Sequence, residues 1–132
     1  MNPAHSALRR AWQGLVVLLV VVITAGSLLP MPSVALAGGM DKFQHFLAYF
    51  LLALLGSGIV QPARLWIVMA RCFALGLGIE LLQAIATEHR SADGGDVIAN
   101  ALGVAAAWAV AGGGRAGWAR HVEDWFARRF RS

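Results

Sequence analysis

The chain has 132 residues, enough for one domain, of which 58% are hydrophobic and only 14% charged. Soluble chains carry about 25% charged residues, so the composition excludes an ordinary water-soluble domain and makes lipid the expected solvent. The net charge of +4 does not argue for nucleic acid, because the arginines flank apolar runs as at an anionic membrane surface, and the single Cys72 excludes an intrachain disulfide.

The first apolar run, Trp12 to Leu29, holds no charged residue and is almost pure Leu and Val from Leu15 to Ile23. Its length suits a membrane span, which needs about 17–25 residues, and Pro30 and Pro32 end it. A cleaved signal peptide is the rival reading, with Arg9 and Arg10 as its basic start and Ala35-Leu36-Ala37 as its cleavage site. The run is long for a signal core, and two prolines separate it from that site, so a retained span is the expectation.

Further runs cover about 43–60, closed by Gln61-Pro62, about 65–86, interrupted by Arg71 and Glu80, and about 97–111, loosened by Gly112-Gly113-Gly114. Ala99, Gly103 and Ala107 recur every fourth residue in the last run, and Ala70, Ala74 and Gly78 do so in the third. Small residues at that spacing let membrane helices approach closely. The tail then changes character. Trp118, Val122, Trp125, Phe126 and Phe130 fall at helical spacing among arginines, which predicts a basic helix lying in the membrane interface. The expected fold is an all-α membrane protein, a four-transmembrane-helix bundle over residues 1–111 with a basic amphipathic interfacial helix in the cytoplasmic tail, 112–132.

Orientation follows from the basic residues. With four spans and both termini inside, Arg9, Arg10, Arg64, Arg71, Arg115, Arg120, Arg128, Arg129 and Arg131 lie on the inner side, nine of the eleven Lys and Arg residues. Only Lys42 and Arg90 lie outside. This topology delivers polar groups from three helices to one outer depth: Asp41, Lys42 and His45 at the start of the second, Glu80 and Gln83 near the end of the third, Arg90, Asp93 and Asp96 in the following loop, and Asn100 in the fourth.

Asp41 and His45, at i and i+4, share a helix face, where they can orient an imidazole or hold a metal ion; helix capping by Asp41 is the alternative. Glu80 is the sharpest single residue, since a carboxylate inside an apolar span normally faces the bundle interior. It and His45 are the acid–base candidates, with a structural ion pair or hydrogen bond as the alternative for Glu80. Arg90 suits bidentate contact with a carboxylate or phosphate. Asp96 is expected to cap the fourth helix, with Asp93 solvated, and Asn100 to bond across helices. Oxygen donors in this number favour Mg²⁺ or Ca²⁺ over zinc if a divalent cation binds at all, although no ligand spacing is diagnostic.

The string Asp41-Lys42-x-x-His45-Phe46-x-x-Tyr49, then Glu80-x-x-Gln83, then Arg90-x-x-Asp93-x-x-Asp96-x-x-x-Asn100-x-x-Gly103, resembles the VanZ-like family over about residues 27–107. Ala107, where many members carry a second glycine, and the compact Thr87-Glu88-His89 stretch depart from the pattern. The resemblance implies a small protein of the bacterial inner membrane and a setting in the cell envelope. The name-giving member is associated with low-level resistance to the glycopeptide teicoplanin; resistance itself is not carried over to this chain. The expected function is binding or modification, at the outer face, of a lipid-linked or anionic envelope component, with Arg90 and Lys42 holding the anion and Asp41, Asp93 and Asp96 orienting it or binding a cation. A non-catalytic accessory subunit, whose polar cluster locks the bundle or docks a partner, is the alternative. An ion-coupled carrier is disfavoured, because no polar residue lies at mid-membrane and no helix pair is broken.

Overall fold

The computed structural model describes residues 3–29, 40–86 and 93–129. Within them the chain is helical throughout: α1 (Pro3–Leu28), α2 (Met40–Gly58), α3 (Leu65–Ala86), α4 (Gly94–Ala111) and α5 (Trp118–Arg129), with one 3₁₀ turn at Pro62–Arg64. α1 starts ahead of its apolar run. Proline is tolerated at a first helical position, where its missing N–H has no partner to lose, and the Ala, Leu and Arg that follow are good helix formers.

Three helical stretches are long and apolar enough to cross a membrane: Ala7–Leu28, Pro62–Ile85 and Gly94–Ala111. α2 is not among them, because Asp41, Lys42, Gln44 and His45 crowd its first two turns. It is nonetheless the centre of the bundle. Its buried stripe, Tyr49, Leu52, Ala53 and Gly56, lies against α4 and α3. α2 and α4 run parallel and make the most extensive helix pair. A Cβ on Gly103 would strike the Phe46 carbonyl oxygen and come within 2.9 Å of the Phe50 amide nitrogen, so the two backbones cross there. Ala107 is fully buried one turn on, and the small-residue stripe of α4 is the contact seam.

The matching expectation for α3 is corrected. Ala70, Ala74 and Gly78 are exposed, and a Cβ on Gly78 would meet nothing within 4 Å. The inward face is Leu65, Met69, Cys72, Ile79, Glu80 and Gln83. α3 is apolar all round, so small residues alone did not identify the side that packs.

The two ends of the bundle differ. Trp12 of α1 meets Trp118 of α5 edge to face, with ring centroids 5.4 Å apart. The Gly117 N–H donates to the Ser57 carbonyl at the end of α2 (2.8 Å), and Trp118 Nε1 donates to the Leu54 carbonyl (3.2 Å). Gly117 has φ +81°, a left-handed conformation that favours glycine, and the chain turns there into α5. α5 thus packs on α1 and α2 through Trp118 and the buried Ala119, while Trp125 and Phe126 face outward. Arg9, Arg10, Arg64, Arg115 and Arg120 lie at this end. The starts of α2 and α4 and the close of α3 form the opposite end.

Candidate functional site

α2, α3 and α4 bring seven of the nine singled-out residues to that opposite end. Asp41, Lys42 and His45 come from the first two turns of α2, Glu80 from α3, and Asp93, Asp96 and Asn100 from the start of α4. Gln83 lies on the same helix face as Glu80 but turns toward α1: its Nε2 donates to the Ser27 carbonyl (2.7 Å), a buried tie between α3 and α1. Arg90 lies outside the described residues, as do Glu88 and His89.

The start of α4 differs from expectation. Asp93, not Asp96, is the N-cap: its backbone is extended and its Oδ1 accepts the Gly95 N–H at 2.7 Å. With Gly94 and Gly95 already helical, Asp96 falls in the first turn, buried and turned toward α2. There its two oxygens divide their work. Oδ1 accepts from Lys42 Nζ (3.3 Å), and Oδ2 lies 3.5 Å from His45 Nε2. Lys42 also bridges to Asp93 Oδ2. That hydrogen bond, and next the Gly95 N–H, hold the Asp93 carboxyl below its ordinary range.

His45 Nδ1 sits 3.1 Å from Asn100 Oδ1, the bond across helices expected of Asn100. An amide oxygen only accepts, so Nδ1 donates this bond, and Nε2 is the nitrogen turned toward Asp96. Asp41, exposed in the first turn of α2, completes a group: one ligand atom each from Asp41, His45 and Asp96 lie within 4.8 Å of one another.

Glu80 backs this group from α3. It is 3% exposed, its Oε2 accepts the Asp93 N–H (3.3 Å), and among the described residues its buried Oε1 has no hydrogen-bond partner. Asp93, Asp96 and His45 are its titratable neighbours. The Tyr49 hydroxyl, one helical turn below His45, is likewise buried without a partner among the described residues. Gly76 makes room beneath: a Cβ there would lie 3.1 Å from the Tyr49 ring and 3.2 Å from Asn100 Nδ2. In the sequence Tyr49 stands out only as the end of the string Asp41-Lys42-x-x-His45-Phe46-x-x-Tyr49. Its i+4 spacing from His45 and i+8 from Asp41 is the signal that places it in the same stripe.

The family model described as VanZ/LLP1 matches residues 6–113, most of the chain and every helix that carries this group. The chain belongs to the VanZ-like family. No curated protein and no solved structure matches it. In this VanZ-like chain the family match spans α1 to α4 and stops short of α5, which therefore stands outside the matched core.

Chemically, the described group is acidic. Asp41, Glu80, Asp93 and Asp96 face a single lysine and one imidazole, and Lys42 is already shared between two carboxylates. Such a set suits a cation or a proton donor better than a bare anion. It leaves Lys42 as the tie between α2 and α4 and not as the free anion contact expected from sequence.

Proposed function

We propose that this VanZ-like protein spans the inner membrane four times, with α2 as the fourth span, and presents its polar group at the outer face to the headgroup of a cell-envelope component. The observation that carries the reading is the segregation of the two ends: carboxylates, imidazole and amide gather where α2 and α4 begin, and Arg9, Arg10, Arg64, Arg115, Arg120 and α5 gather at the other end. Basic residues are retained on the cytoplasmic side, so the acidic end is the outer one. α5, with Trp125 and Phe126 outward among arginines, lies along the inner interface. Glu80, with one oxygen anchored and one free, is the acid–base residue of the group, and His45 its neighbour. A lipid-linked headgroup that offers these carboxylates a proton donor or a cation is the ligand, and an effect on glycopeptide susceptibility follows only if that headgroup belongs to the glycopeptide's target.

The test is labelling of single cysteines in intact cells with an impermeant thiol reagent, in a Cys72→Ala background. Ser91→Cys reacts from outside and Gln61→Cys does not. Reaction of Gln61→Cys alone overturns the reading. Native mass spectrometry of the purified protein then asks whether an envelope lipid is retained and whether Glu80→Gln loses it.

A second reading, a bundle-locking role, is favoured by the bonds themselves, since Lys42–Asp96, His45–Asn100, Glu80–Asp93 and Gln83–Ser27 all join different helices or a helix to its neighbour's cap. It expects Glu80→Gln to lower stability and leave lipid retention intact.

A further inference from the structure

We propose that Asp41, His45 and Asp96 form a divalent transition-metal site, with Asn100 positioning the imidazole and Glu80 standing behind the ion as a proton acceptor for its bound water. The inference rests on reading this group as the functional site and names what it holds.

Three features converge. The first is the orientation of the ring. Metal-binding histidines donate their other ring N–H to an oxygen, which fixes the ring and leaves one lone pair for the metal. Asn100 Oδ1, 3.1 Å from Nδ1, is that oxygen, and Nε2 is the nitrogen turned to the carboxylate. The second is the spacing of ligand atoms. Nε2 and Asp96 Oδ2 lie 3.5 Å apart with Asp41 close by, a separation that two ligands of one ion would take. Bonds of about 2.0–2.2 Å to one ion set ligand atoms about 3–4 Å apart. The 4.8 Å spread of the three therefore closes with a small rotation of the exposed Asp41.

The third is Glu80. It belongs to a different helix, is almost wholly buried, and keeps Oε1 without a hydrogen-bond partner among the described residues. A buried carboxylate oxygen left bare is costly, and Asp96 and His45, two of the three proposed ligands, lie beside Asp93 among its titratable neighbours. A water on the ion gives that oxygen a donor. One imidazole nitrogen with two carboxylates favours Zn²⁺ or Mn²⁺ over the Mg²⁺ or Ca²⁺ that oxygen donors alone would suggest. Lys42 enters as a competitor: its ammonium lies 3.3 Å from Asp96 Oδ1 and opposes a second cation.

The experiment is calorimetric titration of the full chain in phosphatidylcholine nanodiscs with ZnCl₂, MnCl₂ and MgCl₂. The wild type is expected to bind one Zn²⁺ or Mn²⁺ at least tenfold more tightly than Mg²⁺. Asp41→Asn weakens that binding at least tenfold; Asp41 has no hydrogen bond among the described residues, so this variant keeps its fold. Lys42→Met strengthens it severalfold, which a merely structural lysine would not do. X-ray absorption at the metal edge shows a single imidazole nitrogen among oxygens, and His45→Gln removes it. Absence of stoichiometric binding, or equal affinity in wild type and Asp41→Asn, overturns the proposal. Because no envelope lipid is present in the titration, failure here leaves the lipid-retention result standing, and loss of lipid retention with metal binding intact overturns only the envelope reading.

Discussion

His45 Nδ1 and Asn100 Oδ1, 3.1 Å apart on the parallel helices α2 and α4, form the bond that fixes which imidazole nitrogen faces the carboxylates. Asn100 is 3% exposed, so the bond is made away from water. Asn100→Ala releases the ring and leaves Nδ1 without this acceptor. Interhelical hydrogen bonds in membrane proteins contribute about 0.6–2 kcal/mol, and a loss of that size is expected by reversible unfolding in mixed micelles. Asn100→Asp keeps an acceptor at the same place and restores the ring's orientation, read from the ¹⁵N shifts of the imidazole. Identical shifts in wild type and Asn100→Ala would remove the positioning role.

Gly103 sets how near α2 and α4 stand. The atoms that a Cβ would meet belong to the Phe46 carbonyl and the Phe50 amide, which are backbone and cannot rotate away. Gly103→Ala therefore separates the helices, at a cost of about 1–3 kcal/mol typical of overpacking. It also widens the gap between Asp41 and His45 on one helix and Asp96 on the other. Gly78→Ala, where a Cβ meets nothing within 4 Å, is the control. It gains up to about 1 kcal/mol of helix propensity. Unfolding midpoints of the two variants move in opposite directions.

The convergence of the polar residues was legible in the sequence, because expensive groups at helix ends and alternating topology leave few ways to arrange them. Asn100 is the clearest instance: an amide in an apolar run has to bond across helices, and it does. Which apolar face packs was not legible. In lipid a helix is hydrophobic on both sides, so Ala70, Ala74 and Gly78 carry the same pattern as Ala99, Gly103 and Ala107 yet point outward. The roles of Asp93 and Asp96 were exchanged for a related reason. Either aspartate can cap a helix, and only the position of Lys42 and His45 on α2 draws the second one into the bundle. Tyr49 went unread as a site residue because a tyrosine in an apolar stripe is ordinarily core.

The helical spacing places Trp118 among the aromatic residues of an interfacial helix, and in the structure it is the anchor of α5. Its ring lies against Gly58, within 2.7 Å of where a Cβ would be, and its Nε1 donates to the Leu54 carbonyl. Trp118→Ala removes both contacts and frees α5 from the bundle, at a cost toward the lower end of the roughly 3–5 kcal/mol for truncating a buried tryptophan. Trp118→Phe keeps most of the packing and gives up one hydrogen bond, about 1 kcal/mol. Amide exchange in α5 should rise strongly in the first variant and slightly in the second. Unchanged protection in Trp118→Ala would mean that α5 is held by other contacts.

The Lys42–Asp93 bridge gives the acidic end a defined pH response. The Lys42 hydrogen bond, then the Gly95 N–H, hold the Asp93 carboxyl below its ordinary 3.8. A carboxyl whose folded value is depressed contributes stability above the unfolded value and loses it as pH falls through the folded one. The contribution is thus complete at neutral pH and begins to fade only near pH 3.8 and below. Both side chains are solvent-exposed, so the effect is screened by salt and modest in size. Asp93→Asn keeps an N-cap side chain but cannot titrate, which separates capping from charge. Thermal unfolding of wild type and Asp93→Asn in detergent, from pH 7 to pH 3 at low salt, is the measurement. Every other ionisable group is common to both proteins, so the difference between the curves isolates Asp93. The two curves should converge as the pH falls below 3.8, because protonation removes from the wild type what the substitution already removed. A constant offset across the whole range would assign Asp93 a capping role alone.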